Sequence, residues 1–507
     1  MKKITRRDLI KTTGLGMGIV TTAGLIGCSD SDHTQIAASE IQPNATPQKG
    51  GVIKIGVING NQAGNLDAHK PIGMSSAFRG WPLYAKLWEW GRDIQPKLAL
   101  AEFSESNTDG TRWTIRLKKG LEFHHGKTIK ADDIIFSLRR LTDPQLASPF
   151  AAYLYSLQRN DIKKLDDYTV EIPFAHDKGL VVLPETWMSW GGIVPTDYDP
   201  IHNIVGAGPF KLESFTPGQR SRFVRFENYW KPNQPYADAI EIIDFKDQTG
   251  RLSALQSGQI DIASGISAEH LGLIQANKKL NIVASDTDAW LSFDMNTSKP
   301  PFNDIRVRQA FRLIANRDEL VKRALAGRGR VANDLYSFSD PVYNHNIPQR
   351  IQNIEKAKEL LKQAGYDNNL SVDLYTTPGS NAALIFAQQA VQAGVIVNVK
   401  QVETATFADA VKQDWAFSTG GNVSRPFLLT VLQVDGPDAA NNKTRFKNEK
   451  FSELVHAALQ QADLDKRKAL VHEAQQIQHE QGGLLIWGFT QTLDAHSNQI
   501  GGVTPDR

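Results

Sequence analysis

Two pairs of histidines have the first spacing in this chain that suggests chemistry. His124 and His125 are adjacent, so on a strand they face opposite sides and do not share a metal ion. His472 and His479 stand seven apart on one helical face, with Gln476 between them. They offer a weak transition-metal site at most, and a solvated helix face is the simpler reading. Glu473 is followed by Ala474-Gln475-Gln476, so the H-E-x-x-H zinc pattern is absent. The chain has no G-x-x-x-x-G-K-[ST] phosphate loop and no G-x-S-x-G elbow, which argues against an ATPase or a serine hydrolase. We expect no metal, no cofactor and no catalytic residues, because no nucleophile–base pair stands out.

The richer group is Asp414–Leu428, which reads DWAFSTGGNVSRPFL. Arg425 is a cation suited to a carboxylate or phosphate on a ligand. Trp415, Trp81, Trp190 and Trp290 are candidate pocket aromatics, although 10 Trp, 22 Phe and 11 Tyr also suit a large core. Asn296 borders a strand that could floor a cleft and donate into it.

The elements that must position these residues centre on Trp290–Gly327. Leu291, Phe293 and Met295 alternate with Ser292, Asp294 and Asn296, the period-2 pattern of a half-buried strand. Lys299-Pro300-Pro301 breaks regular structure. One long helix is then expected, with Ile305, Ala310, Phe311, Ile314, Leu320, Val321 and Leu325 on one face, Asn303 or Asp304 as its N-cap and Gly327 at its end. Phe78–Trp90 reads as an aromatic-rich helical segment. With 507 residues and 41% apolar content, the chain is too large for one ordinary domain, and its alternating strands and helices predict α/β lobes.

The N-terminus reads as an address. Thr5-Arg6-Arg7-Asp8-Leu9-Ile10-Lys11 resembles a twin-arginine export motif, and an apolar stretch from Gly14 to Ile26 follows, about the length of a signal core and short for a membrane span. Leu25-Ile26-Gly27-Cys28 resembles a lipobox, which makes Cys28, the only cysteine, the expected lipid attachment. The exported chain then has no thiol for a disulfide. Residues 1–27 carry a net +4, so their removal takes the formal +2 to −2 and leaves no charge argument for nucleic-acid binding. Ser29–Gly50 is polar and Pro-containing, as expected of a flexible tether.

The most specific stretch begins at Asp109-Gly110-Thr111-Arg112-Trp113-Thr114 and runs through Gly120-Leu121-Glu122-Phe123-His124-His125-Gly126 to Ala131-Asp132-Asp133-Ile134-Ile135-Phe136-Ser137. Physically it is a tight turn, a strand alternating at Trp113, Ile115 and Leu117, a Gly turn and a capped helix. Together with Gly206-Ala207-Gly208-Pro209-Phe210, Gly258-Gln259-Ile260-Asp261, Pro301-Phe302-Asn303-Asp304-Ile305-Arg306-Val307-Arg308 and Ala357–Tyr366, it resembles the extracellular solute-binding proteins of family 5, the peptide-, nickel- and opine-binding components of ABC importers. His125 departs from the Asp usual in that pattern.

The resemblance implies a type II periplasmic-binding-protein-like α/β fold of two lobes and three domains, with a hinge and an inter-lobe cleft. Domain I would combine roughly 50–80, 201–289 and 481–507, domain II would be 81–200, and domain III 290–480, after a signal at 1–27 and a tether at 28–49. Ligand contacts would come from Gln62 and Asn65 in the loop after the first strand, from Trp190, Asn296 and Trp415, and from Thr419, Gly420, Gly421, Asn422 and Arg425. Peptide binders of the family place an Asp against the ligand's α-ammonium. Aligning on Pro426 puts Asn422 there, which supplies no charge, so a modified or N-blocked peptide, an opine-like conjugate or a metal chelate is expected over an ordinary peptide. The implied partners are the permease subunits of an ABC importer and a membrane reached through the lipid. A periplasmic chaperone or signalling receptor on the same fold is the alternative.

Overall fold

Two long antiparallel strands, Leu280–Met295 and Leu484–Ser497, run side by side through the middle of an eleven-stranded sheet. This computed structural model describes residues 46–505 apart from 60–62, 92–94, 189–190, 368, 404–405, 408–409, 437–438 and 440, all within the unit spanning 38–507. On one side of the central pair, Phe417–Asn422 pairs antiparallel with Trp290–Met295, and Leu370–Thr376 and Val395–Gln401 continue the sheet in parallel. On the other side follow Ile262–Ala263, Val52–Ile58, Ala239–Phe245, Arg220–Arg225 and Phe210–Thr216. The central pairing is irregular between Asp286 and Trp290 and again between Leu291 and Ser292. A separate four-stranded sheet joins Ala101–Ser106, Arg112–Leu117, Thr169–Pro173 and Lys163–Lys164. Among the described residues, no helix is long and apolar enough to cross a membrane.

Trp290–Met295 departs from the half-buried pattern. Phe293 and Met295 are fully buried in one core, but Ser292 and Asp294 on the opposite face are buried too. The strand lies between two others and has protein on both faces, so its polar positions face an interior layer and not solvent.

The expected single helix is two. Ile305–Ile314 is capped by Asp304, whose carboxylate accepts from the Arg306 N–H, and ends at Ala315 in extended conformation. Arg317–Ala324 starts again behind Asn316, whose side chain accepts from the Glu319 N–H at 2.9 Å. The apolar periodicity runs across both, while the N-cap chemistry of Asn316 inserts the break. Phe78–Trp90 is also divided, into a helix Gly73–Leu83 and a strand Trp88–Trp90, with Pro82 in the last turn. The turn at Asp109-Gly110, the strand with Trp113, Ile115 and Leu117 buried, and the helix Ala131–Leu141 stand as expected. In that helix Asp133 accepts from the Lys130 N–H at 2.9 Å.

One aromatic core gathers Phe293, Phe302, Phe311, Phe386, Phe417 and Trp487, with Phe293 and Phe386 centroids 4.6 Å apart. A second core runs without interruption from Leu87–Ala207 into Phe427–Phe489. It joins the small sheet to the helices Phe427–Val434, Glu449–Leu459 and Leu464–Gln481, and the Val181 N–H donates to the Leu459 carbonyl at 2.8 Å across the junction. Each such large apolar side chain contributes about 1.5–3 kcal/mol on burial.

Candidate ligand-binding cleft

Phe417–Asn422 places Asn422 opposite Trp290 and Gly420 opposite Ser292. It runs parallel to Leu370–Thr376, so Thr376 and Asn422 lie at the carboxyl ends of their strands. Open α/β sheets bind ligands in the crevice outside such ends. The Thr419 hydroxyl donates to the Thr376 hydroxyl at 3.0 Å, tying the two ends together. Both glycines are close approaches: a Cβ on Gly420 would lie 2.1 Å from Asp294 Oδ2, and one on Gly421 2.6 Å from the Trp290 carbonyl. The Asn422 amide nitrogen donates to Gln433 Oε1 at 3.3 Å, and its oxygen accepts from the Val423 N–H at 2.9 Å.

Trp290, Asp294, Gly421, Asn422, Gln433, Asn441 and Lys443 line one cavity. Asp294 is buried and accepts from the Ser292 hydroxyl at 2.5 Å. Burial pushes its pKa up, against the opposing pull of Lys443 and Ser292. The Trp290 ring stacks on Tyr336, which stacks on Phe427, at 5.8 and 5.3 Å. Behind this stack the Tyr336 hydroxyl donates to Asp435 at 2.8 Å and Gln478 donates to its other oxygen at 2.5 Å; burial pushes the Asp435 carboxyl up to about 6.

Arg425 reaches a segment far from it in sequence. Its guanidinium donates to the Tyr153 hydroxyl and to Gln433, and lies 5.7 Å from the Tyr153 ring centre. It also lines a second cavity with Glu185, Asp288, Asp340 and Arg467. Asp340 accepts from the Val342 N–H at 3.0 Å and from the Phe427 N–H, at the start of a helix, at 2.7 Å. Burial pushes Glu185 up to about 7; Arg467 opposes this and Asp340 adds to it.

The expected site residues do not all meet here. Gly421 and Asn422 line the first cavity, Gly420 lies under the Asp294 carboxylate, Arg425 lines the second cavity and Thr419 bonds to Thr376. Asn296 and Trp415 lie together at the other end of the same strand pair, where Asn296 donates to Asp414 at 3.1 Å and to the Trp415 carbonyl at 3.3 Å, and Trp415 stacks on Tyr375 at 4.7 Å. Asn65 spends its side chain within its own loop, donating to the Lys70 carbonyl and accepting from the Ile72 N–H. Gln62, Trp190 and Cys28 lie outside the described residues. His124 is held against the Gly208 carbonyl at 3.0 Å, and burial lowers its pKa to about 4. His479 is not on a solvated face: it is buried, with the Arg350 guanidinium 2.9 Å from its ring. Among the described residues no cluster of His, Cys, Asp or Glu has the makings of a metal site. Sequence reasoning missed Asp294, Lys443, Gln433, Tyr153 and Glu185. Asp294 was hidden by strand alternation, which assigned it to solvent, and the others carry no local signal.

Comparison with known proteins agrees with this architecture. Residues 94–428 match the family described as bacterial extracellular solute-binding proteins, family 5 Middle. The chain is 25% identical over 472 residues to the dipeptide-binding protein of Escherichia coli K12, covering 84% of this chain and 87% of that protein. It is 28% identical over 444 residues to heme-binding protein A of Haemophilus influenzae, covering 79% and 80%. Among solved structures, the ABC transporter substrate-binding protein CtaP of Listeria monocytogenes superposes with a TM-score of 0.79 at 21% identity, over 90% of this chain and 96% of that one, a likeness of fold. A fold built on two shared central strands, and a family match over residues 94–428, lead to one assignment: the chain belongs to the bacterial extracellular solute-binding proteins of family 5.

Proposed function

We propose that this protein captures a small, polar, peptide-related solute outside the cytoplasm and delivers it to the permease subunits of an ABC importer. The observation that carries the reading is the pair of strands Leu280–Met295 and Leu484–Ser497, which both halves of the large sheet share, with Thr376 and Asn422 ending beside them. The pairing irregularities at Asp286–Ser292 mark where these strands bend as the lobes close on a ligand. Relatives named for dipeptides and heme support a binding role while leaving ligand identity to this chain's own residues.

On this reading domain I comprises roughly 50–80, 201–289 and 481–507, domain II 81–200 and domain III 290–480. Closure makes no covalent bond, and the protein acts as a binder and not as an enzyme. Residues 1–27 serve as an export signal of twin-arginine type, and Cys28 carries the lipid that holds the protein at the membrane. Native mass spectrometry of protein taken gently from its own cell envelope tests the binding role. A single added mass that disappears on denaturation is expected. A bare protein that also gives no thermal shift with peptides, opines or metal chelates would instead favour a chaperone or receptor role.

A further inference from the structure

One edge of the large sheet is open. Val395–Gln401 pairs in parallel with Leu370–Thr376, and among the described residues no strand pairs with its other side. Its outward N–H and C=O groups are left for water or for another strand. Proteins usually guard such an edge with charge. Here the guard is one residue, Lys400, which lies 3.9 Å from Asp373 on the neighbouring strand. From Leu374 to Val399 the sequence has no charged side chain, although 22% of the chain is charged. That stretch includes the helix Asn381–Val391, which packs on the edge strand. The helix Ile354–Gln363 is the usual contrast, with Glu355, Lys356, Lys358, Glu359 and Lys362. In place of such residues the uncharged stretch exposes Leu384, Val391 and Ile396, by 48%, 68% and 58%. Leu384 and Val391 are seven apart and share one face of their helix. Charge depletion beside exposed apolar side chains is the composition of an interface core.

We propose that this edge pairs antiparallel with the same edge of a second copy of the chain, giving a twofold dimer with one continuous sheet. The strand's own sequence supplies the register. With the axis at Asn398, the middle of the strand, Val397 stands opposite Val399, Ile396 opposite Lys400 and Val395 opposite Gln401. Side chains alternate between the two faces, so each of these pairs shares a face. Val397 and Val399 are already half-buried against the aromatic core, and pairing completes their burial. The charges are compatible with the twofold. The two Lys400 side chains sit at opposite ends of the ladder, about 14 Å apart along the strand, and no like charges face each other. A strand of 7 residues with one helix above it makes a small interface, below about 1,200 Å² in total, so association belongs to the micromolar range and above. Because the same patch is used by both copies, assembly closes at two. Asn422 lies on a strand two places in from this edge, so the pairing and solute capture stand or fall separately.

Sedimentation velocity of the full exported protein, from low to several hundred micromolar, tests the pairing. The mass is expected to rise from monomer towards dimer and no further. Asn398 is exposed, so its variants keep the fold, which matching thermal unfolding verifies. Asn398→Lys sets two ammonium groups face to face at the axis, and Asn398→Asp sets two carboxylates there. Each variant alone is expected to associate at least tenfold more weakly than wild type, and an equimolar mixture of the two to regain association. Lys211→Glu, on the strand at the opposite edge of the sheet, is expected to change nothing. A protein that stays monomeric at every concentration overturns the pairing. So does association that Asn398→Lys and Asn398→Asp leave intact, a mixture that is no stronger than its components, or growth past the dimer, which would mean head-to-tail contacts through another surface.

Discussion

Arg317 donates to Asp334 Oδ1 at 2.6 Å, and the Asp334 carboxylate is completely buried. Arg350 donates to the other oxygen at 2.8 Å, and Arg312 approaches to 3.9 Å. These arginines come from different segments, and they converge because the chain breaks at Ala315-Asn316 between two helices. Burial alone would raise the Asp334 pKa. Arg317, Arg350, Arg312 and His479 outweigh it and hold the carboxyl below its ordinary 3.8.

Asp334→Asn leaves three guanidiniums around a neutral amide. Breaking a buried ion pair from one side costs about 3–5 kcal/mol, and a loss of that size is expected in urea unfolding at pH 7. The sign of its pH dependence follows from the lowered pKa. The stabilisation is fully present above the unfolded value of 3.8 and is lost as pH falls through the still lower folded value. A variant within ~1 kcal/mol of wild type would show that the arginines are satisfied by their backbone carbonyl partners alone.

Glu185 has the opposite sign. Its folded pKa is raised to about 7 from 4.5, chiefly by burial, so the folded state binds the proton more tightly than the unfolded chain. The side chain therefore costs nothing below pH 4.5 and destabilises progressively as pH rises through 7. Glu185→Gln is expected to be nearly neutral at pH 4.5 and to gain on wild type by up to ~3 kcal/mol at pH 8. Paired denaturation curves at the two pH values measure this, and a constant difference between the proteins would contradict it.

These two sites mark the limits of sequence reading. The turn at Asp109-Gly110 and the strand after it were legible because Trp113, Ile115 and Leu117 alternate on a sheet with one buried face. Trp290–Met295 obeys the same period, but its second face is covered as well, so Ser292 and Asp294 read as solvent positions although they are buried. The break at Asn316 was masked because the apolar period continues through both helices. Thr419–Asn422 could be placed by motif, since strand and loop are contiguous in sequence. Their neighbours Tyr153, Gln433 and Lys443 could not, because contacts between separate segments leave no trace in local spacing.

Gly420 has a definite steric requirement. A methyl group there would fall 2.1 Å from the Asp294 carboxylate, which the strand pairing holds in place. Gly420→Ala is expected to destabilise by about 1–3 kcal/mol, the usual range for overpacking. Thermal unfolding of Gly420→Ala in an Asp294→Ala background, where the obstruction is gone, should show most of that loss recovered. If it does not, the glycine is required by the backbone and not by the carboxylate.

Arg425 and Tyr153 are 272 positions apart in sequence and joined directly in space, so their contact reports on how the two segments that carry them are held together. Both recorded guanidinium contacts, to Tyr153 and to Gln433, use one terminal nitrogen. Hydrogen bonds to a charged group contribute about 1.5–3 kcal/mol, so Arg425→Ala is expected to lose that much stability and Tyr153→Phe roughly 1 kcal/mol. Because the second loss is contained in the first, the double variant should be no less stable than Arg425→Ala alone. Additive losses would mean that the tyrosine is satisfied by water and that Arg425 acts elsewhere, on a ligand in the cavity it lines with Glu185 and Arg467. The guanidinium carries five N–H donors, so both roles are compatible with its geometry, and the double-mutant cycle separates them without knowledge of the ligand.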